Sequence, residues 1–231
     1  MNHTRAAGAL TIALALLAQA PLAHAEDSWD GLQKVEMKSL DEAWLMPGAN
    51  FAGYTKVLLD PIEVSFRKGW ERDINRAGPP SARPRVTAED AARIQAWMSA
   101  DFGRVLREDL EAAGYELVDA PGTDVLRLTP VLTKVYLNGP DALGQPVRMQ
   151  VYTFEAGEAT LALELRDAAL GTLLGRAVDR RRTGDDRVLQ WTSEVSNRAE
   201  FGQVFRRWSE ILVDALRALR MTPPVSPDDA R

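Results

Sequence analysis

The sequence predicts one α+β domain, a two-layer sandwich in which a twisted, mostly antiparallel sheet carries two amphipathic helices on one face. Several segments alternate apolar and polar residues, as half-buried strands do, and two longer segments repeat apolar residues with the helical period. The apolar side of each element can then be buried in one core. Such a core also explains how the chain holds together without any Cys for a disulfide.

The first residues are typical of a secretory signal peptide. One Arg precedes a run of Ala, Leu and Ile, and the run ends in Ala23-His24-Ala25, a small-x-small cleavage site. We therefore expect residues 1–25 to be cleaved before Glu26 and the mature protein to be periplasmic or secreted. An uncleaved anchor is the alternative. No later stretch has the ~20 apolar residues of a spanning helix, so we expect no transmembrane segment in the mature chain.

Cleavage would remove both histidines, His3 and His24, from a chain that has no Cys. The mature protein would then lack thiol nucleophiles, Cys/His zinc sites and any Ser-His-Asp triad. We expect no catalytic residues, no metal and no cofactor. The net charge of −5 becomes −6 when Arg5 is removed, and this charge excludes nucleic acid as an expected partner.

Residues 26–53 are interpreted as an N-terminal arm, because the spacing of their apolar residues fits neither period. We expect an extended segment with a helical turn at Leu40–Leu45 that packs its tryptophans on the domain. An interaction tail is the alternative. The single domain would span residues 54–221, and the Pro- and Asp-rich residues 222–231 are predicted to be disordered.

Two segments, Tyr54–Phe66 and Asp124–Asn138, are predicted to be kinked strands. In each, the apolar residues change parity once, and a change of parity means a bulge or a kink. We place the first change at Asp60-Pro61 and the second at Pro130, where a missing backbone N–H is best tolerated. Asp60 is then most simply a turn residue before Pro61, and a catalytic carboxylate at the strand end is the alternative.

Arg67–Arg85 is predicted to be a loop rich in Arg, Pro and Gly. Six of its residues are basic and two are acidic, although the chain as a whole is acidic. Basic residues around a Trp suit an anionic polymer, a lipid headgroup or an acidic protein surface. The candidate contact residues are therefore Arg67, Lys68, Trp70 and Arg72. The alternative is a solvated connection whose Trp packs on the sheet.

Two amphipathic helices are expected to cover the sheet. The first, Thr87–Ala113, opens with Thr87 and Asp90 as in a capping box and stops at Gly114. The second has its start signal at Asn197 and Glu200. Their apolar stripes consist mainly of Ile94, Trp97, Met98, Phe102, Leu106 and Leu110 in the first helix, and of Phe201, Val204, Phe205, Trp208, Ile211, Leu212 and Leu216 in the second.

Shorter strand patterns occupy most of the remaining chain. They are Tyr115–Val118, Val147–Phe154, Leu161–Arg166 and Leu173–Thr183. A strand, a helix and another strand in succession indicate a crossover between parallel strands on one sheet. Asp185 and Asp186 follow Gly184 and are interpreted as a turn, with a catalytic or metal-binding pair as the alternative.

Four segments together resemble an uncharacterised family of bacterial envelope proteins, whose domain has no known function. They are PGANFAGYTKVLLDPIEVSF, GYELVD, DVLRLTPVLTKV and ATLALELRDAALGTLLGRAVDRR, and the resemblance extends from Trp44 to Leu219. YTKVLLDPIEVSF is its most specific part. Members are often lipoproteins, but this sequence lacks the lipobox Cys. The resemblance implies no catalytic residues.

Three functions follow from the sequence as hypotheses. The first is a non-catalytic periplasmic accessory protein that binds another envelope protein through the open sheet face, the Trp70 segment or the arm. The second is a module that binds an anionic small molecule, glycan or lipid headgroup through Arg67, Lys68, Trp70 and Arg72. The third is a carboxylate hydrolase built on Asp60, which would require a second carboxyl at a defined distance.

Overall fold

The computed structural model describes residues 28–76, 85–137, 152–153, 157–183, 190–191 and 194–222. Within these residues the strands are β1 (Ser28–Trp29), β2 (Leu32–Val35), β3 (Glu42–Leu45), β4 (Lys56–Leu59), β5 (Glu63–Phe66), β6 (Glu116–Leu117), β7 (Val125–Leu137), β8 (Tyr152–Thr153), β9 (Gly157–Asp167), β10 (Leu173–Arg182) and β11 (Gln190–Trp191). The helices are α1 (Trp70–Arg76), α2 (Ala88–Ala112) and α3 (Glu194–Met221).

Most of the described strands join in one sheet of order β1-β2-β3-β10-β9-β7-β4-β6, with β5 also beside β7. Neighbours from β1 to β7 in this order are antiparallel, whereas β4 and β5 run parallel to β7, and β6 runs parallel to β4. The predicted α+β class with a mostly antiparallel sheet is confirmed, and so is the parallel crossover. β8 and β11 pair separately with each other.

The core lies between one face of this sheet and helices α2 and α3. Phe102 of α2 stacks on Phe205 of α3 with ring centroids 5.1 Å apart, and Trp208 lies beside both rings. These aromatic side chains cover the leucines of the central strands, which are Leu126, Leu128, Leu132, Leu161, Leu163 and Leu165, all buried. Burying each such side chain contributes about 1.5–3 kcal/mol, so this layer is a major source of stability.

Helix α2 begins and ends where its local signals predict. Thr87 is the N-cap, and its hydroxyl accepts from the backbone N–H of Asp90 while the Asp90 carboxylate accepts from the Thr87 backbone N–H. Gly114 follows with φ of 85°, which glycine adopts without strain. For α3 the predicted start at Asn197 is wrong. The helix begins at Glu194, and Asn197 is buried inside it, because packing at this end of the sheet outweighs a weak local signal.

The second predicted kink is in the wrong place. Leu126, Leu128, Pro130 and Leu132 keep one parity through Pro130, and the register shifts only after Thr133, where Lys134 has φ of 51°. Pro130 is tolerated because β7 has no parallel partner there: β4 ends at Leu59 and β5 begins at Glu63. The first kink, at Asp60-Pro61, is confirmed as the break between β4 and β5.

The N-terminal segment contributes three strands to the same sheet. The predicted helical turn at Leu40–Leu45 is wrong, because Glu42–Leu45 is strand β3 and pairs with β10, which satisfies its backbone groups. Leu40 and Ala43 then pack on Ile211 of α3. This pairing is non-local, so the spacing of apolar residues could not reveal it.

The predicted loop over Arg67–Arg85 is wrong in its first half, which forms helix α1. Trp70 and Ile74 are four residues apart, and both are buried, so this single helical face is enough to hold the turn. Several predictions concern residues outside the described ranges, namely the signal peptide, residues 77–84, the Asp185/Asp186 pair and the tail after residue 222. Of the predicted strand Val147–Phe154 only Tyr152–Thr153 is described, and it is strand β8. No helix within the described ranges is long and apolar enough to cross a membrane.

Candidate functional site

An open groove of about 430 Å³ lies where β5 ends and α1 begins, opposite the first turn of α2. It is lined by Phe66, Arg67, Gly69, Trp70, Glu71, Arg72 and Ala91, and we call it the Arg67–Arg72 groove. Three of the four candidate residues from the sequence therefore line one depression. Lys68 is exposed beside it but is not among the lining residues.

Trp70 supports the groove from below. Its ring stacks on Phe66 at 4.0 Å with an interplanar angle of 6°, and its indole N–H donates to the carbonyl of Leu137 at 3.0 Å. Only 2% of the residue is exposed, and its contacts are with Phe66 of β5 and Leu137 of β7. Trp70 therefore packs on the sheet, which was the alternative expected from the sequence. The indole fixes the groove's shape and leaves recognition to its neighbours.

The charged side chains of the groove are held in place without being buried. The Arg67 guanidinium lies 4.0 Å from the centroid of the Tyr136 ring. Asp73 approaches both arginines, at 3.9 Å from an Nη of Arg67 and 3.7 Å from Nε of Arg72. These separations exceed the 2.7–3.2 Å of a hydrogen bond, so the guanidinium donors keep capacity for another acceptor. The Arg67 and Arg72 side chains are 48% and 63% exposed.

The segment around the groove is positive within an acidic chain. Residues 67–76 contain Arg67, Lys68, Arg72 and Arg76 against Glu71 and Asp73, a local charge of 4 − 2 = +2, while the whole chain carries −5. Arginines recognise planar anions such as carboxylates through paired N–H donors. The lining offers such donors next to an aromatic surface and contains no hydroxyl or thiol nucleophile. Its chemistry is that of binding an anionic group beside an apolar one.

Asp60, the candidate for carboxylate catalysis, is held by hydrogen bonds to two side chains of β7. Its oxygens accept from Nε of Arg127 at 3.1 and 2.9 Å and from the Thr129 hydroxyl at 2.6 Å. The hydrogen bond to Asp60 raises the pKa of Arg127. These contacts fasten the break between β4 and β5 to β7, as expected of a turn residue. Asp60 is not among the residues that line the groove.

The sheet face opposite the helices carries paired charges. Glu158 of β9 lies 2.6 Å from Arg180 and 3.3 Å from Arg182 of β10, and the hydrogen bond from Arg180 lowers the pKa of Glu158. Glu164 is 2.8 Å from Arg166 on the same face. Arg176 also lies 3.7 Å from Glu164. Two glutamates thus share four arginines, so this face has an excess of positive charge as the groove does, but three of its four ion pairs are shorter than either contact of Asp73.

Sequence reasoning found the basic residues of the site but missed Phe66, Asp73 and Tyr136. Phe66 ends β5 and Trp70 begins α1, so their stacking depends on the turn between the two elements and has no periodic signal in the sequence. The approach of Tyr136 to Arg67 joins β7 to the end of β5 and has no signal in the local sequence. No group of three or more His, Cys, Asp or Glu side chains that could hold a metal occurs in the part of the chain that the structure describes.

The family model described as "Protein of unknown function (DUF3313)" matches residues 23–212. The chain belongs to this family. The predicted membership of a family with a domain of unknown function is therefore confirmed, and the match includes the whole Arg67–Arg72 groove of this DUF3313 protein. No protein with a curated description matches the chain.

Several solved structures overlap loosely with the DUF3313 fold. The PelC dodecamer from Paraburkholderia phytofirmans is 12% identical, with 77% of this chain and 96% of that chain covered and a TM-score of 0.35. Protein XCC0632 from Xanthomonas campestris is 12% identical, with 76% and 88% covered and a TM-score of 0.40. A minor lipoprotein from Acinetobacter baumannii is 14% identical, with 75% and 98% covered and a TM-score of 0.34. Nothing about the function of this chain follows from overlaps at these scores.

Proposed function

We propose that this DUF3313 protein is a non-catalytic protein of the bacterial envelope that binds another envelope protein through the Arg67–Arg72 groove. The observation that carries the proposal is the convergence of two exposed arginines above an aromatic floor formed by Phe66 and Trp70. The periplasm is the proposed compartment, because residues 1–25 have the features of a cleaved signal peptide.

A protein partner suits the groove better than a simple ion, since its surface has two parts. A partner segment with an acidic side chain next to an apolar one would pair its carboxylate with Arg67 or Arg72. Its apolar side chain would lie against the partly exposed ring of Phe66, which stacks on the buried Trp70. Arginine and aromatic residues are the types that concentrate binding energy at protein interfaces. The local charge of +2 in an acidic chain also favours encounter with an acidic segment.

The second candidate function is binding of an anionic small molecule, glycan or lipid headgroup at the same arginines. The observation in its favour is that Arg67 and Arg72 already approach one carboxylate, that of Asp73, from two sides. Such a site would bind the anion without the apolar neighbour, so a free anion would compete as well as a peptide does.

Site-specific photo-crosslinking in living cells tests the proposal. A photoreactive residue replaces Lys68, which is exposed beside the groove, in one strain and Arg104 in the control strain. Arg104 is exposed on α2 and pairs with Glu108, roughly 20 Å along the helix from Ala91. We expect one envelope protein to be captured from position 68 and not from position 104, and that protein, once purified, to bind the wild-type chain more tightly than the Arg67→Ala variant. Equal capture at both positions, or binding that ignores Arg67→Ala, would contradict the proposal.

A further inference from the structure

We infer that Asp73 is an internal competitor at the Arg67–Arg72 groove: its carboxylate occupies the place of the partner's acidic group and is displaced when an acidic protein segment binds. This inference rests on the proposed function. It adds a residue that sets how tightly the groove binds an acidic segment and how strongly it prefers that segment to a neutral one.

Geometry is the first support. The Asp73 carboxylate lies 3.9 Å from Arg67 and 3.7 Å from Arg72, with one oxygen towards each, so it stands between the two guanidinium groups. An incoming carboxylate that bound both arginines would take the same position. The two arginines are therefore already positioned around one carboxylate in the unbound protein.

The contacts of Asp73 are long enough to be exchanged. Both exceed hydrogen-bond length, and the carboxylate side chain is 41% exposed. Pairs of this kind in water contribute little stability. A partner carboxylate that reaches either guanidinium at 2.7–2.9 Å, with two parallel hydrogen bonds, therefore competes successfully with Asp73.

Arg67 has a second anchor that does not depend on Asp73. Its guanidinium lies 4.0 Å from the centroid of the Tyr136 ring, and this contact restrains the side chain when the acid moves away. Release of Asp73 therefore leaves the groove with an ordered cation and one more uncompensated positive charge. Preorganised groups of this kind bind at a lower entropic cost.

Glu71 provides a matched control. It lines the groove, whereas Asp73 reaches only the two arginines that line it. Glu71 carries the same charge as Asp73 but makes none of the ion pairs found in the described residues. Glu71→Gln and Asp73→Asn change the net charge equally and keep the side-chain shape. A difference between the two variants therefore reports the specific contact of Asp73 and not the general field of the groove.

The test measures binding of the peptide Asp-Asp-Phe-Glu-Asp, amidated at its C-terminus and labelled at its N-terminus with an uncharged fluorophore, to the purified full chain. Asn-Asn-Phe-Gln-Asn, amidated and labelled in the same way, is the neutral counterpart. We expect Asp73→Asn to tighten binding of the acidic peptide by about 3- to 10-fold, Glu71→Gln by less than about 2-fold, and neither to affect the neutral peptide. Thermal unfolding of both variants checks that the fold is retained.

The outcomes separate the inference from the proposed function. If Arg72→Ala weakens peptide binding but Asp73→Asn leaves it unchanged or weaker, the inference is wrong and the binding function remains. If neither Arg72→Ala nor Asp73→Asn alters binding, the groove does not recognise an acidic segment and both proposals fall. Competition by inorganic phosphate as strong as that by unlabelled peptide would also overturn both, in favour of a free-anion site.

Discussion

The indole N–H of Trp208 on α3 donates a 2.7 Å hydrogen bond to the carboxylate of Asp179 on β10, and both side chains are buried. The same carboxylate accepts from the backbone N–H of Asp41 at 3.1 Å and from Nε of Arg181 at 2.6 Å. One acid thus joins the N-terminal segment, the sheet and the last helix. A buried carboxylate is stable in such a place because each oxygen has donors.

Asp179→Ala should therefore lower the free energy of unfolding by about 2–4 kcal/mol, because it leaves the buried indole N–H of Trp208 without its acceptor and removes the ion pair of the partly exposed Arg181. Urea unfolding followed by tryptophan fluorescence measures this change. Asp214→Ala serves as the control, since Asp214 is 76% exposed on α3 and pairs with the exposed Arg217. A cost for Asp179→Ala no greater than that of the control would show that the three segments are held together by other contacts.

Gly157 at the start of β9 has no room for a side chain. A Cβ there would lie 2.6 Å from the carbonyl oxygen of Tyr136 and 2.7 Å from the ring of Phe201. Gly157→Ala should lower the free energy of unfolding by about 1–3 kcal/mol, because either β7 or α3 must move. Gly53→Ala is the matched substitution, since a Cβ at Gly53 meets nothing within 4 Å. Equal midpoints in urea for the two variants would refute the predicted close packing.

Lys134 occupies the left-handed region, with φ of 51°, at the bulge in β7. Glycine adopts this conformation without the steric cost that an L side chain carries, so Lys134→Gly should leave the midpoint of thermal unfolding unchanged or raise it. Lys134→Val should lower stability by about 1–2 kcal/mol, because a β-branched residue fits this region poorly. The control is Lys34→Gly in β2, where φ is not positive and glycine should destabilise the strand by roughly 0.5–1 kcal/mol.

Tyr54 donates its hydroxyl proton to Asp167 at 2.7 Å. Burial, and then the hydrogen bond and charge of Asp167, raise the pKa of Tyr54 from 10 to about 12. In the unfolded chain the phenol ionises near pH 10, so the contribution of Tyr54 is complete below pH 10 and is lost as the pH rises towards 12. The free energy of unfolding should therefore fall over this window by an amount on the order of 2 kcal/mol.

Tyr54→Phe should remove that fall, because the variant has no group to ionise at this position. Denaturant unfolding at pH 9, 10 and 11 compares the two proteins, and the ultraviolet titration of the native state should show one high-pH tyrosinate fewer in the variant. The same substitution should raise the pKa of Asp167, which hydrogen bonds from the Leu170 backbone N–H and then from Tyr54 hold below its usual value. Parallel pH profiles for wild type and variant would contradict the assignment.

Features that depend on neighbouring residues could be predicted from the chain itself. Helix α2 is an example, because its capping box, its apolar stripe and the glycine after its end all lie within one continuous segment. The break at Asp60-Pro61 is another, since proline limits strand pairing locally. The positive charge around the groove also follows from the local sequence, because residues 67–76 contain four basic and two acidic residues. Each of these features is decided within a few residues along the sequence.

Tertiary packing decided the remaining features. The bulge lies at Lys134 and not at Pro130 because the gap between β4 and β5 leaves Pro130 without a parallel partner. The segment at Glu42–Leu45 is a strand because β10 supplies its hydrogen bonds.

At the groove, the order of residues specifies which cations are present. Only the fold buried Trp70 beneath them and set Asp73 between Arg67 and Arg72. Residue type and local spacing can be read directly from the sequence. Burial and the distance between charges depend on contacts that form only when the whole sheet and its helices assemble.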